Sequence, residues 1–283
     1  MEWIRNLKIN TFWGTVTYET GNERGSVVIP RFFRTLGVSL LAIVSICASA
    51  SAGDSELLVL MHDSGRVERY ELATGKHLGT LLSGLPPSNT LLLDHDGRLL
   101  ISTGKPNEMG TVLRYDPAGR VETLIQVPEG YGGRLHRATG MAWHQGDLLV
   151  ASQGDGKVKR YAYPSGEWLA DIALASPGGM TQIALHGDEL YVTDYQAQAI
   201  RRINKLDGSM SAIWAQHQAQ HPWGLCFDPQ GAAFWCTSGN RILRTVGSET
   251  VEWAGAGGGL ATPLCLAIGP DGWLYCASWL GDV

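Results

Sequence analysis

Three features of this 283-residue chain predict an all-β protein built from repeated four-stranded units. The text repeats, 36 glycines fall largely between short apolar runs, and no helix-period pattern occurs outside one N-terminal apolar stretch. The repeat is the strongest of these. "ELLVLMHDSGRVERY" (Glu56 to Tyr70) aligns without a gap on "DLLVASQGDGKVKRY" (Asp147 to Tyr161), and "ELYVTDYQAQAIRRI" (Glu189 to Ile203) follows the same template. "GRLLIST" from Gly97, "GAAFWCTS" from Gly231 and "GWLYCAS" from Gly272 repeat its first half.

Each copy reads as a short strand rich in Val, Tyr and Leu, a small polar loop, and a second strand of the form V-x-R-Y. Another apolar run closed by a turn precedes most copies: "TGMAWHQGD", "TQIALHGDE", "GLCFDPQGA" and "CLAIGPDGW". A turn glycine (Gly75, Gly119, Gly166, Gly208) and a poorer fourth strand, such as "EWLADIAL" or "SMSAIWAQ", follow most of them. The unit is therefore four antiparallel strands, a to d. The turn acids Asp96, Asp147, Asp188 and Asp271 recur at multiples of that unit, with an insertion ("KPNEMG" and "PEGYGGRLHRA") between the second and third. Four-stranded units repeated radially predict a six-bladed β-propeller, which hides sheet edges by packing blade on blade. A β-sandwich is the alternative, but it would not require near-identical text at a fixed spacing. Counting strands, the first blade supplies only b, c and d, and the sequence stops at Val283 where strand c of a sixth blade is due. The propeller is expected to be incomplete at its C-terminus, with a seven-bladed parent also open.

Residues 31–52 read as a signal peptide. Arg31 and Arg34 precede an apolar run from Leu36 to Cys47, and Ala50-Ser51-Ala52 fits an A-x-A cleavage site. The run is shorter than the ~20 apolar residues of a spanning helix, so no membrane span is expected in the mature form; an uncleaved N-terminal membrane anchor is the alternative. Residues 1–30 show no periodic pattern and are expected to be unstructured or a mis-assigned extension, leaving 53–283 as the propeller domain. Export implies a periplasmic or extracellular location. Such a compartment permits disulfides among Cys226, Cys236, Cys265 and Cys276. If "GPDG" forms the loop, Ile268 faces Trp273 and Cys265 opposes Cys276, so a disulfide there and two buried thiols are both open. The same count sets Cys226 opposite Ala233.

The chain is 17% charged with net charge −5 and has no basic run beyond Arg201-Arg202, which excludes a nucleic-acid duplex as partner. No G-x-G-x-x-G, P-loop, H-E-x-x-H or G-x-S-x-G is present, which excludes the nucleotide, zincin and serine-hydrolase classes that those motifs mark.

In a four-stranded antiparallel blade, the b-to-c loops and the d-to-a connections emerge on one face, and ligand-binding residues are sought there. The b-to-c loops deliver His62 and Asp63, Asn107 and Glu108, Gln153 and Asp155, Asp194 and Tyr195, Ser238 and Asn240, and Trp279. The connections add Arg134, His136 and Arg137, then Met180, Thr181 and Gln182, then His221 and Trp223. Arg134 and Arg137 flank His136, a set suited to gripping a carboxylate or phosphate. His136 and His221 are the candidate general acid or base groups, because imidazole titrates near neutrality. His221 opens "HPWG", and its preferred reading is structural: Pro222 and Gly224 shape the entry to an inner strand, Trp223 packs between blades and His221 caps the loop. Arg69, Arg114, Arg160, Arg202 and Arg244 recur once per blade in strand c, which suggests a structural duty such as pairing with a neighbouring blade's acid. The tryptophans Trp143, Trp168, Trp214, Trp235 and Trp253 read as packing between blades.

"HPWGLCFDPQGAAFWCTSGNRILR" and "TPLCLAIGPDGWLYCASWLGDV" resemble NHL-type repeats, in the β-propeller superfamily that also holds streptogramin lyases and gluconolactonase-like propellers. The resemblance covers most of residues 56–283 and implies the fold more than an activity. Streptogramin lyases carry an acid and a histidine just before an inner strand, with a glutamate after the next strand. Aligned on Gly224, this chain has His221 at the acid, Trp223 at the histidine and Ser238 near the glutamate, a departure that argues against lyase chemistry and its magnesium. Gluconolactonase-like propellers hold one divalent metal in the channel; Asp194, in "YVTD", resembles one of its ligands, with Asp155 or Asp63 able to join it, and oxygen ligands suit calcium or magnesium. The expectation is an exported binding module for a protein, glycan or small-molecule ligand, requiring no cofactor. The rival is a metal-dependent lactonase or lyase at the mouth of the central channel.

Overall fold

The computed structural model describes residues 6–10, 15–20, 23–28, 42–43, 56–62, 64–174, 177–203, 210–216, 220–255, 260, 262–270 and 272–278. Among them there is no helix, and hence none long and apolar enough to cross a membrane. Trp279 and Asp63 lie outside the described residues.

Five four-stranded antiparallel sheets follow one another along the chain. Blade I holds β4 (Ala42–Ile43), β5 (Glu56–Met61), β6 (Arg66–Glu71) and β7 (His77–Leu82). Blade II holds β8 (Ser88–Leu93), β9 (Leu99–Thr103), β10 (Met109–Tyr115) and β11 (Val121–Ile125), with a short β12 (Leu135–His136) added beside β10. Blade III runs β13 (Ala138–His144), β14 (Asp147–Ser152), β15 (Lys157–Tyr161), β16 (Trp168–Leu174), and blade IV runs β17 (Met180–His186), β18 (Glu189–Asp194), β19 (Ala199–Ile203), β20 (Met210–Ala215). Blade V holds β21 (Pro222–Phe227), β22 (Ala233–Thr237), β23 (Arg241–Val246) and β24 (Glu249–Ala254), and a two-stranded sheet, β25 (Pro263–Ile268) with β26 (Leu274–Ser278), comes last. β1 (Asn6–Asn10), β2 (Thr15–Thr20) and β3 (Glu23–Val28) form a separate three-stranded sheet.

The architecture is thus a β-propeller of five four-stranded blades plus a partial sheet, where six blades were expected. Blade I also has an inner strand that strand counting did not supply. Ala42 and Ile43, inside the stretch read as an export signal, pair antiparallel with Met61 and Leu60. Inner strands contact one another in order, β8 with β13, β13 with β17, β17 with β21 and β21 with β25, so they surround a common axis.

The core lies between blades. On strand β14, Leu148 and Val150 face blade II and join Leu100, Val112, Ile125 and Met141, whereas Leu149 and Ala151 face blade IV and join Met180, Ile183, Leu190 and Val192. Successive side chains of a strand point to opposite sides of its sheet, and both sides of a blade are covered. This is why the b strands read as continuous apolar runs rather than alternating ones.

Where the strand-c arginines pair with an acid, it belongs to their own blade, although Arg114 also reaches blade III, its Nη1 donating to the Pro164 carbonyl at 3.2 Å. Arg69 meets Glu56, Arg160 meets Asp147 at 2.5 Å, and Arg202 meets Glu189 at 3.6 Å. In each case the acid sits two residues before the arginine's partner on strand b. Blade II has Arg98 at that position, so Arg114 turns to Glu122 (2.5 Å); blade V has Ala232 there, and Arg244 lies over the rings of Phe234 and Trp253. Four of the five tryptophans do pack between blades, but Trp168 is exposed and lies against Gly132 and Gly133 of the insertion.

The register of the last sheet also differs from the count. Ile268 pairs with Leu274, Leu266 with Cys276, and Cys265 with Ala277. Cys265 and Cys276 therefore project from opposite sides of the sheet, which rules out a bridge between them; Cys226 faces Phe234 rather than Ala233. Cys226, Cys236, Cys265 and Cys276 are all thiols.

Candidate functional site

Every complete inner strand from blade II onward, and β25 as well, begins with the same irregularity. The register shifts between Ser88 and Thr90, Ala138 and Met141, Met180 and Ile183, Pro222 and Leu225, and Pro263 and Cys265. Each is a bulge with one extra residue on the inner strand, at the loop-bearing end. A bulge breaks the ladder and re-aims the side chains it carries. Its residues are Asn89 in blade II, Thr139 and Gly140 in blade III, Thr181 and Gln182 in blade IV, Trp223 and Gly224 in blade V, and Leu264 in the last sheet.

Three of these equivalent positions hold a buried polar atom without a hydrogen-bond partner: Asn89 Oδ1, Thr139 Oγ1 and Trp223 Nε1. The other end of the Asn89 amide is engaged, its Nδ2 donating to the carbonyls of Gly104 (3.0 Å) and Ala138 (2.8 Å). Thr181 is satisfied by Thr193 Oγ1 at 2.7 Å and by the Trp223 carbonyl at 3.0 Å. Buried polar groups are ordinarily paired, and repeated exceptions at one structural position mark a place where another molecule, water included, completes the bonding. Asn89 and Thr139 were not singled out from sequence. Their signal was available, since "SNT" and "ATG" occupy the place of "MTQ" and "PWG" ahead of the inner strands.

Two groups of the expected residues come together. Tyr195, His221 and Trp223 form one. The His221 ring stacks on Tyr195 at 4.1 Å and 21°, and Tyr195 tilts against Trp223 at 4.8 Å. His221 Nδ1 is 2.6 Å from the Tyr195 carbonyl, Nε2 is 3.5 Å from the Gln198 amide, and the His221 carbonyl accepts from Ser238 N–H. These contacts join blade IV to blade V.

Arg134, His136, Arg137, Gln153 and Asp155 form the second group. The insertion folds back so that β12 pairs with Met109 and Gly110 of blade II, while His136 N–H donates to Ser152 Oγ of blade III at 2.9 Å. Arg134 pairs with Glu129 at 3.2 Å, and its buried Nε has no acceptor. Arg137 has φ +54°, a left-handed backbone fixed by its N–H donating to Glu108 O and its carbonyl accepting from Gln153 N–H, both at 3.1 Å. Its Nη1 donates to Gln153 Oε1 at 2.5 Å, and burial pushes its guanidinium pKa down. Asp155 pairs with the buried Lys159 at 2.9 Å. His62 lies in the turn that follows strand β5 on blade I.

Asp194, the candidate metal ligand, is fully buried, and both its oxygens are engaged. Oδ2 accepts from Arg201 Nε at 2.7 Å, and Oδ1 accepts from Ala197 N–H at 3.0 Å. Among the described residues, no three of His, Cys, Asp and Glu come together as a ligand set. Asp194 pairs with Arg201 and Asp155 Oδ2 with Lys159, each on the following strand, and the described residues do not assemble a divalent-metal ligand set.

No protein-family description and no curated protein matches the chain. Solved structures do. A virginiamycin B lyase from Staphylococcus aureus superposes with TM-score 0.63 at 19% identity, over 85% of this chain and 82% of that one. A gluconolactonase from Xanthomonas campestris gives TM-score 0.68 at 14% identity, over 97% and 92%. A chain of the nidogen/laminin complex gives 0.63 at 17%, over 76% and 83%. Enzymes and a protein-binding assembly share the arrangement, so what the likenesses establish for this chain is its fold, a β-propeller similar to the streptogramin lyase, gluconolactonase-like and NHL-type propellers.

Proposed function

We propose that the protein is a binding module, in which the loop-bearing end of the propeller takes a protein, glycan or small-molecule ligand at the mouth of the inner-strand ring without turning it over. The observation that carries this reading is the set of unpartnered polar atoms Asn89 Oδ1, Thr139 Oγ1 and Trp223 Nε1 at equivalent bulges. They offer one acceptor, one hydroxyl and one donor, the mixture that neutral polar groups of a ligand would satisfy. The chemistry-bearing side chains nearby support it too, since both oxygens of Asp194 and the Nδ1 of His221 are bonded to protein groups. Export belongs to the same proposal and is supported by Arg31, Arg34, the Leu36 to Cys47 run and the Ala50-Ser51-Ala52 site.

Elemental analysis of the purified full chain after dialysis against calcium and magnesium, together with lactone hydrolysis with and without a chelator, tests the reading. Binding without catalysis predicts no stoichiometric metal and no chelator-sensitive turnover. Stoichiometric metal that disappears in Asp194→Ala, together with such turnover, would establish the lactonase or lyase reading instead.

A further inference from the structure

The arginines of the described structure fall into clear groups. Arg69, Arg98, Arg114, Arg120, Arg134, Arg160, Arg201, Arg202 and Arg241 each have a carboxylate within ion-pair distance. Arg244 lies over two aromatic rings, and Arg66 is exposed to water. Arg137 belongs to none of these. It is half-buried, it faces no acid within ion-pair distance among the described residues, and it uses a single donor on a neutral amide oxygen. A guanidinium carries five N–H donors, so about four are left without a protein acceptor. One of those, at Nε, is fully shielded from water.

A half-buried cation with no counter-charge is unfavourable in an isolated chain, because the interior solvates it poorly. Side-chain mobility does not explain it here. The Arg137 backbone is clamped in a left-handed conformation between Glu108 of blade II and Gln153 of blade III. Gly104 and Gly110 pack directly under residues 137 and 138: a Cβ on Gly110 would sit 2.4 Å from Ala138 N, and one on Gly104 would crowd Arg137 Cα at 3.2 Å. Gln153 then fixes the plane of the fork through Nη1. Among the described residues, Asp155 Oδ2 pairs with Lys159 and Glu129 with Arg134, while Glu108, whose carbonyl accepts from the Arg137 N–H, has an exposed side chain that makes no ion pair with Arg137.

We infer that Arg137 is the anchor of an oxyanion site between blades II and III, which takes the carboxylate or phosphate group of a small ligand, with Gln153 holding the fork in place. The planar fork matches either group bidentately. This inference rests on the loop-bearing end being the binding end and adds the charge class of the ligand.

The test is a titration of the ¹⁵N-labelled full chain with sodium phosphate, acetate and glucuronate at constant ionic strength, against chloride, following arginine Nε–Hε resonances. The expected result is a saturable shift of the Arg137 Nε–H signal, affinity at least tenfold weaker in Arg137→Gln, and intermediate affinity in Arg137→Lys, which keeps charge and loses the fork. Tighter binding of phosphate identifies a phosphate-bearing ligand, and tighter binding of the carboxylates a carboxylate-bearing one. The inference is overturned if no anion moves that signal saturably in the wild-type chain, if chloride moves it equally, or if Arg137→Gln binds as the wild type does. The wild-type titration decides the matter even if a variant fails to fold. Metal retention and turnover do not depend on Arg137, so failure here is separable from failure of the binding-module reading.

Discussion

At the scale of single residues, the same side chain is put to different uses by its neighbours. Asp194 shows this most directly. Its carboxylate accepts from Arg201 and from the Ala197 amide in a fully buried setting, so it serves as a loop clip. Removing one partner of such a pair leaves the other charge uncompensated. Asp194→Ala is therefore expected to lower stability by about 3 kcal/mol in urea unfolding, more than an exposed ion pair would cost. Asp94 is a second clip, on the opposite end of blade II. Burial would raise its pKa, but the Tyr163 hydroxyl, the backbone N–H groups of Arg98 and Asp96, and the Arg98 guanidinium outweigh burial and hold it below the usual carboxylate range. A depressed folded-state pKa contributes stability fully above the unfolded value, near pH 4, and loses it as pH falls through the folded one. Wild-type stability should consequently drop more steeply between pH 5 and 2, in round numbers, than that of Asp94→Asn, a difference readable from unfolding midpoints at each pH. The thiols of Cys226 and Cys236 are pushed up, first by burial and then by the cysteines around them. Both are expected to resist a thiol reagent at pH 8 until the chain is unfolded, since the thiolate is the reactive form.

At the scale of the strand, the bulge at the head of each inner strand sets both packing and site. It lets the inner strands approach closely where they enter the ring. A Cβ on Gly140 would sit 2.7 Å from Ile183 N, and one on Gly224 would sit 2.8 Å from Cys265 Cα, backbone atoms that cannot move aside cheaply. Gly140→Ala and Gly224→Ala should each destabilise by about 1–3 kcal/mol, lowering the denaturation midpoint with an unchanged slope. The register error in the last sheet arises at its turn instead. Counting outward from the "GPDG" loop put Trp273 in the ladder opposite Ile268, whereas the Trp273 carbonyl closes the turn by accepting from Gly269 N–H and the strand starts at Leu274, so every partner from Ile268 to Cys265 moves by one residue. A one-residue slip moves each side chain to the other face, which is why the proposed Cys265 and Cys276 pair separates.

At the scale of the whole molecule, stability resides in the layers between blades. Leu148 and Leu149 are neighbours in sequence but belong to different layers, one facing blade II and the other blade IV. Truncating either to alanine is expected to cost about 2–5 kcal/mol. Because they share few contacts, the double variant should come within about 0.5 kcal/mol of the sum, whereas Leu149→Ala combined with a truncation of Ile183, in its own layer, should depart from additivity. Urea unfolding of the wild type and the five variants measures both.

The repeated text by itself determined the four-stranded unit, its antiparallel order, the blade-on-blade arrangement and the end at which the candidate residues gather. Periodicity is a local property, and an apolar run of five residues between turns has few other ways to be buried on both faces. Only the tertiary structure decided which members of that list have work left to do. His221 and Asp194 look reactive as letters but are bonded to protein groups, while Asn89 and Thr139 look ordinary and, like Arg137, which the sequence did single out, are left with unpartnered buried atoms. Whether a polar atom is satisfied depends on groups from another blade, and sequence spacing carries no information about those.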